Sequence, residues 1–230
     1  MKIGLFGGTF DPVHRCHLAV ATQVRDQLQL DLVLLIPSGD PPHKPPGSLA
    51  PALHRLAMVR LAIAGEPSLE VSELEIQRPA KSYSIETVRT LKAQYGPASE
   101  LFFLIGLDAF LDLHTWKDAP SLLSLCHFVV VSRPSCRFAA LTSLPVLPPL
   151  DQAALARIDS QGQNRLDISL PGGTSLTLLA LPPCDASATD IRRRLRAHLP
   201  VSNLLPDSVE SYIIRHRLYQ EASDRTGVEG

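Results

Sequence analysis

The chain has 230 residues, and its 22 lysine and arginine residues nearly balance its 23 aspartate and glutamate residues. A balanced charge does not favour a protein that binds nucleic acid or a membrane surface, and the length suits one α/β domain better than two. Hydrophobic residues make up 45% of the chain, which is enough for a core, whereas no apolar run reaches the length of a membrane span.

The N-terminus and the cysteines indicate where the protein resides. The first residues lack the long apolar stretch and the cleavage site of a signal peptide. Four cysteines, at positions 16, 126, 136 and 184, form no C-x-x-C pair, which is typical of reduced thiols in a cytoplasmic protein. We therefore expect a soluble cytoplasmic chain, and the sequence does not indicate its oligomeric state.

Apolar runs bounded by turn residues alternate with helical periodicity along most of the chain. This alternation predicts an α/β fold with a mostly parallel sheet, helices on both faces and a small helical part at the C-terminus. Strands are predicted at 2–6, 32–37, 69–74, 101–105 and 128–131, with a hairpin over 164–170 and 176–181. Helices are predicted at 14–30, 54–64, 84–95, 189–198 and 206–218.

The segments between these elements are less regular. Residues 39–51 form a proline-rich loop, 134–150 read as a surface excursion, and 151–158 suit one or two helical turns. Residues 220–230 carry no core pattern and are predicted to be a disordered tail. We therefore expect a single domain over residues 1–219.

A glycine pair and a histidine pair follow the first strand. Gly7 and Gly8 have no Cβ, so a phosphate chain can approach the backbone closely where the strand ends. An Asp-Pro turn then leads into a helix in which His14 and His17 lie one turn apart on the same face. Because free N–H groups at a helix N-terminus favour anions, this segment predicts a site for the phosphates of a nucleotide.

Other interpretations of this segment are weaker. The glycines lack the G-x-G-x-x-G spacing of a dinucleotide site, and the lysine of a Walker motif is missing. A His-x-x-His pair can bind zinc, but Cys16 is the only other plausible ligand nearby.

Two basic groups fall at positions that suit the same site. His43 and Lys44 follow the second strand at its carboxyl end, the edge where ligands bind in open α/β sheets. The alternative is a proline-stiffened surface loop with incidental charges. Ser187 suits a helix N-cap, with Thr189 just inside the helix. Arg192 is unexplained by capping, because a cation near a helix N-terminus opposes the dipole unless an anion is bound there.

A second set of residues suits a different half of the site. Gly106 and Asp108 follow the strand at 101–105, and Trp116 is the only tryptophan of the chain. Tyr83 and Ser84 open the helix at 84–95, whose free N–H groups can bind a carboxylate or merely be capped. A single tryptophan is more often a core residue than a platform for a ligand ring.

Six blocks carry a resemblance to a known family. The first resembles the signature of the nucleotidyltransferase superfamily, a GTFDP-type turn followed by H-x-G-H. In chain order the blocks are GGTFDPVHRCH, PPHK, KSYSIET, IGLDAFLDLHTW, VVSRP and SATDIRRRL. Together they resemble the bacterial nicotinate-nucleotide adenylyltransferases, and the similarity runs from residue 1 to about residue 219.

The resemblance implies a Rossmann-like nucleotidyltransferase fold and transfer of the adenylyl group of ATP to nicotinate mononucleotide. We expect Mg²⁺ to arrive with ATP, since the sequence offers no carboxylate cluster to hold it alone. The residues that it implies for catalysis at the ATP phosphates are His14, His17, Lys44 and Arg192. The residues that it implies for the rest of the ATP site are Gly7, Gly8, Thr9, Phe10, His43, Arg133, Ser187 and Thr189. The residues that it implies for the mononucleotide are Tyr83, Ser84, Gly106, Asp108 and Trp116.

Two positions depart from the family pattern. Cys16 stands where the H-x-G-H motif has glycine, and we expect its side chain to occupy space that the glycine keeps open for the nucleotide. Ser84 replaces the usual threonine, which matters little if the backbone makes the contact. Competing functions are another adenylyltransferase of the superfamily with phosphopantetheine or nicotinamide mononucleotide as acceptor, a cytidylyltransferase, a nucleotide-binding module without activity, and an RNA-binding protein that uses the arginine run at 192–196.

Overall fold

A twisted sheet forms the centre of the molecule, whose computed structural model describes residues 1–41, 48–79, 81–134 and 136–220. The strands are β1 (Lys2–Gly8), β2 (Leu32–Pro37), β3 (Leu69–Val71), β4 (Glu100–Gly106), β5 (His127–Val131), β6 (Arg165–Ser169) and β7 (Ser175–Leu179). Their order across the sheet is β3-β2-β1-β4-β5-β7-β6. Neighbouring strands are parallel, except that β6 and β7 form an antiparallel hairpin.

Helices cover both faces of the sheet. They are α1 (Arg15–Leu28), α2 (Ala52–Ala62), α3 (Ser84–Tyr95), α4 (Leu107–Leu111), α5 (Ala119–Leu125), α6 (Gln152–Asp159), α7 (Ala188–Arg196) and α8 (Asp207–Arg215). Short 3₁₀ helices span Leu113–Thr115 and Phe138–Ser143. Because both faces are covered, β2 is buried at every residue, as its unbroken apolar sequence predicts.

Alternate residues of β1 show how the two layers form. Ile3 and Leu5 belong to one hydrophobic core together with Ile85 of α3. Phe6 points to the other face and belongs to a second core that includes Val24 of α1. The period of two along a strand therefore divides the apolar residues between two cores.

The chain changes direction across the sheet between β1 and β4. From β1 it runs outward through β2 and β3, and from β4 it runs the opposite way through β5. This reversal opens a crevice outside the carboxyl ends of β1 and β4, which end at Gly8 and Gly106. Ligands of open α/β sheets bind at such a crevice.

The predicted α/β architecture is confirmed, including the parallel sheet and the hairpin. Strand β1 extends past the prediction because Gly7 and Gly8 pair with Ile36 and Pro37 of β2. Helix α1 begins at Arg15 instead of residue 14, since His14 has an extended backbone with φ −144°.

The prediction of a surface excursion over 134–150 is wrong for part of that segment. Phe138, Leu141 and Leu144 are 2%, 0% and 7% exposed, and they pack in the core. Phe138 and Leu141 lie three residues apart on one side of a 3₁₀ helix, and Leu144 directly follows that helix. The carboxylate of Asp159 fixes the start of that helix by accepting the N–H of Phe138 at 2.7 Å.

The predicted tail at 220–230 lies, apart from residue 220, outside the described residues. Across the ranges that are described, the helices are too short and too polar to cross a membrane.

Candidate active site

A cavity of about 440 Å³ opens at the crevice between β1 and β4. Its volume falls within the usual range of small-molecule sites. The residues of its wall that the sequence predicted are Gly7, Gly8, Thr9, His17, Tyr83, Ser84, Gly106, Asp108, Trp116 and Arg133. The fold thus brings together segments that are more than a hundred residues apart in the chain.

His17 is held in one orientation at the edge of this cavity. The backbone N–H of His14 donates to Nδ1 of His17 at 3.3 Å, so the proton of the neutral ring resides on Nε2. The His14 ring stacks on the His17 ring at 3.7 Å between centroids, and the Phe10 ring meets it edge-on at 5.0 Å. His17 therefore offers a fixed Nε2–H donor to a ligand oxygen.

Both histidines are neutral near pH 7. Burial, helped by the charge of Arg133, lowers the pKa of His14 to about 4. Burial also lowers the pKa of His17 well below its ordinary value, and the charges of His14 and Arg133 act in the same direction. Nδ1 of His14 is buried and has no hydrogen-bond partner among the described residues.

A buried arginine shapes the turn that carries Thr9 and Phe10. Arg55 of α2 is 1% exposed, and its guanidinium donates to the carbonyls of Thr9 and Ser38 at 2.7 Å each and of Ala50 at 3.0 Å. These bonds tie the loop after β1 to the loop after β2. Sequence reasoning missed Arg55, although a lone arginine in the apolar run before Leu56 was a possible signal.

Phe10 differs from the other predicted ATP-site residues in its exposure. Its side chain is 1% exposed, and it packs edge-on against the rings of Phe6 and His17. It supports His17 from behind, and neither its ring nor its backbone is part of the cavity wall.

Helix α7 contacts the turn after β1 through Arg192 and Asp11. Ser187 is the N-cap, and its hydroxyl accepts the N–H of Asp190 at 3.1 Å. Arg192 lies in the second turn of α7, not at its first N–H groups, and its Nη1 donates to the carbonyl of Asp11 at 2.6 Å. The dipole argument for a bound anion at Arg192 therefore does not hold. Four residues that the sequence predicted for the site lie outside the cavity wall: Ser187, Thr189, Arg192 and His14.

The N-terminus of α3 faces the other half of the cavity. No side chain caps this helix at Tyr83, and both Tyr83 and Ser84 line the wall. Trp116 also lines it and packs edge-on against Phe103 at 6.1 Å, while Lys117 holds its Nζ 4.3 Å from the centre of the Tyr83 ring. Uncapped N–H groups, an indole and a cation suit an aromatic ring with a carboxylate.

Asp108 and Arg133 form an ion pair at the end of β4. Nε of Arg133 lies 3.3 Å from Oδ1 of Asp108. A Cβ on Gly106 would stand 2.5 Å from Oδ1 and 2.6 Å from Nε. Glycine at position 106 is therefore required for this pair to form.

Glu75 is a cavity residue that sequence reasoning missed. It accepts the hydroxyl of Thr87 at 2.8 Å, and burial raises the pKa of its carboxyl group against the opposing effect of Thr87. Its position after the short apolar strand β3 gave no chemical signal.

Two predictions about Cys16 are wrong. Cys16 and Cys184 form a disulfide with Cα atoms 5.8 Å apart, so these two cysteines are not reduced thiols. The side chain of Cys16 also points away from the space predicted for the nucleotide, because it turns toward the segment before α7 and is not part of the cavity wall. Their separation of 168 residues hid this pair from spacing arguments.

Two predicted residues cannot be placed. His43 and Lys44 lie outside the described residues. Within the described ranges no group of three or more histidine, cysteine, aspartate or glutamate side chains could hold a metal ion.

Comparison with known proteins identifies the class. The family model described as Cytidylyltransferase-like matches residues 5–194. The chain therefore belongs to the cytidylyltransferase-like family of nucleotidyltransferases.

Relatives among curated sequences narrow this class. A protein of Pelobacter propionicus is 41% identical, over 96% of this chain and 99% of its own length. A protein of Chromobacterium violaceum is 45% identical, over 95% and 99%. Each is named "Probable nicotinate-nucleotide adenylyltransferase". The chain belongs to the nicotinate-nucleotide adenylyltransferase family.

Solved structures agree with this at the level of the fold. The Plasmodium falciparum nicotinic acid mononucleotide adenylyltransferase complexed with NaAD matches with a TM-score of 0.70 at 18% identity, over 95% of this chain and 97% of that one. The same enzyme complexed with APC matches with a TM-score of 0.69 at 17% identity.

Proposed function

We propose that the protein transfers the adenylyl group of ATP to nicotinate mononucleotide, which yields nicotinate adenine dinucleotide and pyrophosphate. The observation that carries the proposal is one cavity that joins a fixed Nε2–H donor on His17 to the uncapped N-terminus of α3. The family to which the chain belongs supports the same reaction. We take residues 1–219 as one nucleotidyltransferase domain.

The reaction requires alignment more than acid–base chemistry. A phosphate oxygen of the mononucleotide attacks the α-phosphorus of ATP, a new P–O bond forms, and the bond to the bridging oxygen breaks. The electron pair of that bond leaves with pyrophosphate. Since the attacking phosphate is already negative, no protein base is needed, and the site contributes positioning and stabilisation of charge.

We assign the ATP half of the site to residues around the end of β1, and the orientation of His17 supports this assignment. A neutral His17 donates Nε2–H to an oxygen of the transferring phosphate, and His14 serves a neighbouring oxygen. We assign Lys44 and Arg192 to the departing pyrophosphate. The residues that we assign to the remaining ATP contacts are Gly7, Gly8, Thr9, His43, Arg133, Ser187 and Thr189, and we assign Phe10 to the support of His17.

The mononucleotide half lies between α3 and the 3₁₀ helix before Trp116. We assign the nicotinate carboxylate to the N–H groups at the start of α3, where Tyr83 and Ser84 line the cavity. Trp116 covers the pyridine ring, and Asp108, made possible by Gly106, accepts a hydroxyl of the sugar. A carboxylate at an uncapped helix N-terminus gains from the helix dipole.

Mg²⁺ and the cellular setting complete the proposal. We take Mg²⁺ to arrive on the phosphates of ATP, where it would neutralise part of their charge. Since ATP is supplied inside the cell, we place the reaction in the cytoplasm.

The proposal is tested by identifying the products. The protein is incubated with ATP, Mg²⁺ and nicotinate mononucleotide, and the mixture is analysed by mass spectrometry and a pyrophosphate assay. We expect the dinucleotide and pyrophosphate in equal amounts. Binding of ATP without either product would contradict the proposal and would favour a nucleotide-binding module without activity.

A further inference from the structure

Asp11 is a nearly solvent-free carboxylate beside the cavity, outside its wall. Its side chain is 1% exposed. Oδ1 accepts the Tyr219 hydroxyl at 2.7 Å and the N–H of Ala50 at 3.1 Å. Oδ2 has no hydrogen-bond partner in the described part of the chain, while Nη1 of Arg192 lies 3.6 Å from it. A buried carboxylate depends on such groups, because leaving it uncompensated is costly.

Tyr219 is the donor in this cluster, and it comes from the end of the fold. Burial and the charge of Asp11 raise the pKa of its phenol, so the hydroxyl keeps its proton and donates to the carboxylate. Its backbone is left-handed, with φ 62°, a conformation that bulky residues rarely adopt.

Arg192 receives its position from the same aspartate. Its Nη1 donates to the carbonyl of Asp11 at 2.6 Å, and its Nη2 lies 3.4 Å from the hydroxyl of Thr189. Asp11 therefore both orients the guanidinium and attracts its charge. The number of hydrogen bonds that Asp11 accepts from other groups determines how strongly it competes with a phosphate for Arg192.

We propose that Tyr219 is a positioning residue that acts through Asp11 to keep Arg192 available to the ATP phosphates, an inference that rests on the proposed function. When the phenol is lost, Oδ1 keeps only the N–H of Ala50, and the carboxylate draws Arg192 more strongly. ATP then has to displace Arg192 from Asp11 and binds more weakly.

The test is a double-mutant cycle on ATP binding measured by calorimetry. Tyr219→Phe is expected to raise the Kd for ATP about three- to tenfold, the size of effect that losing one ordinary hydrogen bond has, because the phenol acts on ATP only through Asp11 and Arg192. In the Arg192→Ala background the same change should alter the Kd for ATP less than about twofold, because the guanidinium through which Tyr219 acts is absent. Tyr212→Phe is the matched control, since the Tyr212 hydroxyl bonds to His54.

Each outcome of the cycle decides the proposal. The proposal is overturned if Tyr219→Phe changes the Kd for ATP by the same factor in both backgrounds, or in neither. If that common change also follows the change in the free energy of unfolding, the role of Tyr219 is purely structural. Product formation by the unmodified protein is measured in parallel. If that protein forms no dinucleotide, the proposed function is wrong. If it forms the dinucleotide but the effects of the two substitutions on the Kd for ATP are additive, only the role of Tyr219 is wrong.

The disulfide is a second and independent observation. Cys16 lies between His14 and His17 and is 6% exposed, while Cys184 is exposed in the irregular segment before Ser187. The bond joins the two segments to which we assign phosphate contacts. The N–H of Ala186 also lies 3.2 Å from Sγ of Cys16.

Reduction removes the covalent link between these two segments. Cys16 is held in the first turn of α1, whereas Cys184 lies in a segment without regular structure. The segment that leads into Ser187 and Thr189 is therefore the part that depends more on the bond for its position.

We infer that the pair is a reversible thiol–disulfide site that adjusts ATP binding, again on the basis of the proposed function. The thiolate of exposed Cys184 attacks a small-molecule disulfide and releases one thiol. The thiolate of Cys16 then attacks the Cys184 sulfur and releases the second thiol. Two protein thiols are oxidised and one disulfide is reduced to two thiols, so the exchange balances.

ATP binding in buffers of oxidised and reduced glutathione tests this inference. Reduction is expected to raise the Kd for ATP several-fold in the unmodified protein, and Cys184→Ser should show the reduced value in both buffers. Alkylation and peptide mapping report the state of Cys16 and Cys184 in the same samples. Alkylation of both cysteines in the oxidising buffer, or an equal Kd in both buffers, would overturn the inference.

Discussion

In the proposed reaction, His17 is the residue on which the chemistry depends most directly. Replacing it with asparagine removes the Nε2–H donor at the transferring phosphate while leaving a side chain of moderate size. We expect pyrophosphate release to fall roughly a hundredfold or more, the usual effect of losing one preorganised donor. The measurement is the steady-state rate of pyrophosphate release with ATP and the mononucleotide.

A second histidine provides the matched control. His198 is exposed and has φ 53°, a backbone conformation that asparagine accepts readily. His198→Asn should therefore leave the rate and the circular dichroism spectrum unchanged. A nearly normal rate for His17→Asn would show that the ring has no part in the transfer.

The lowered pKa of His14 predicts how the free energy of unfolding depends on pH. Its pKa is about 4 in the folded chain and near 6.5 when unfolded, so the unfolded chain binds more protons between these values. Folding stability is thus complete above pH 6.5 and falls as the pH drops toward 4. The expected loss between pH 7 and pH 5 is about 2 kcal/mol from this group.

Urea unfolding at pH 7 and pH 5 measures that loss. His14→Asn keeps a good N-cap residue for α1 and removes the titrating ring, so its free energy of unfolding should fall less between the two pH values. The same fall in both proteins would mean that His14 has an ordinary pKa in the folded state.

Residue types identified part of the site from the sequence alone. Gly7, Gly8 and His17 combine a motif with a strand end, and the structure places all three at the cavity. Arg55 and Glu75 belong to no recognisable motif in the sequence. Their importance comes from burial, which only the folded chain creates.

Among the elements, α3 is the one to which the proposed function assigns the choice of acceptor. Ser84 is the first helical residue, where proline is well tolerated, and Tyr83 before it has the extended backbone that a following proline requires. Ser84→Pro removes one N–H and keeps the helix. We expect a raised KM for nicotinate mononucleotide and an unchanged KM for ATP.

Ser84→Ala separates the backbone from the side chain in this test. It removes the hydroxyl and keeps the N–H, so its kinetic constants should stay close to those of the unmodified protein. Equal effects of the proline and alanine changes would contradict binding of the carboxylate through the backbone.

Elements with one clear period were predictable, and those with mixed signals were not. The α3 bounds and the β2 bounds agree with the prediction because each has a clean apolar pattern between breakers. The segment with Phe138 and Leu141 contains proline and small residues that indicate a loop, yet its apolar side chains fill the core. Local pattern does not report such distant packing.

At the scale of the whole molecule, the strand order turns separate motifs into one site. The reversal between β1 and β4 brings the His17 turn, the α3 N-terminus and the Asp108–Arg133 pair to one cavity. The α/β pattern and the order of the motifs predicted this assembly. The Cys16–Cys184 bond was not predictable, because it joins distant residues that only the folded chain brings within reach.

A comparison of acceptor substrates is the most direct test of the proposed function. Initial rates of pyrophosphate release are measured with ATP and Mg²⁺ and, in parallel, nicotinate mononucleotide, nicotinamide mononucleotide or phosphopantetheine. We expect kcat/KM to be highest by far for nicotinate mononucleotide, since only its carboxylate matches the open N–H groups of α3. An equal or higher value for either other acceptor would contradict the assignment of the cavity to nicotinate.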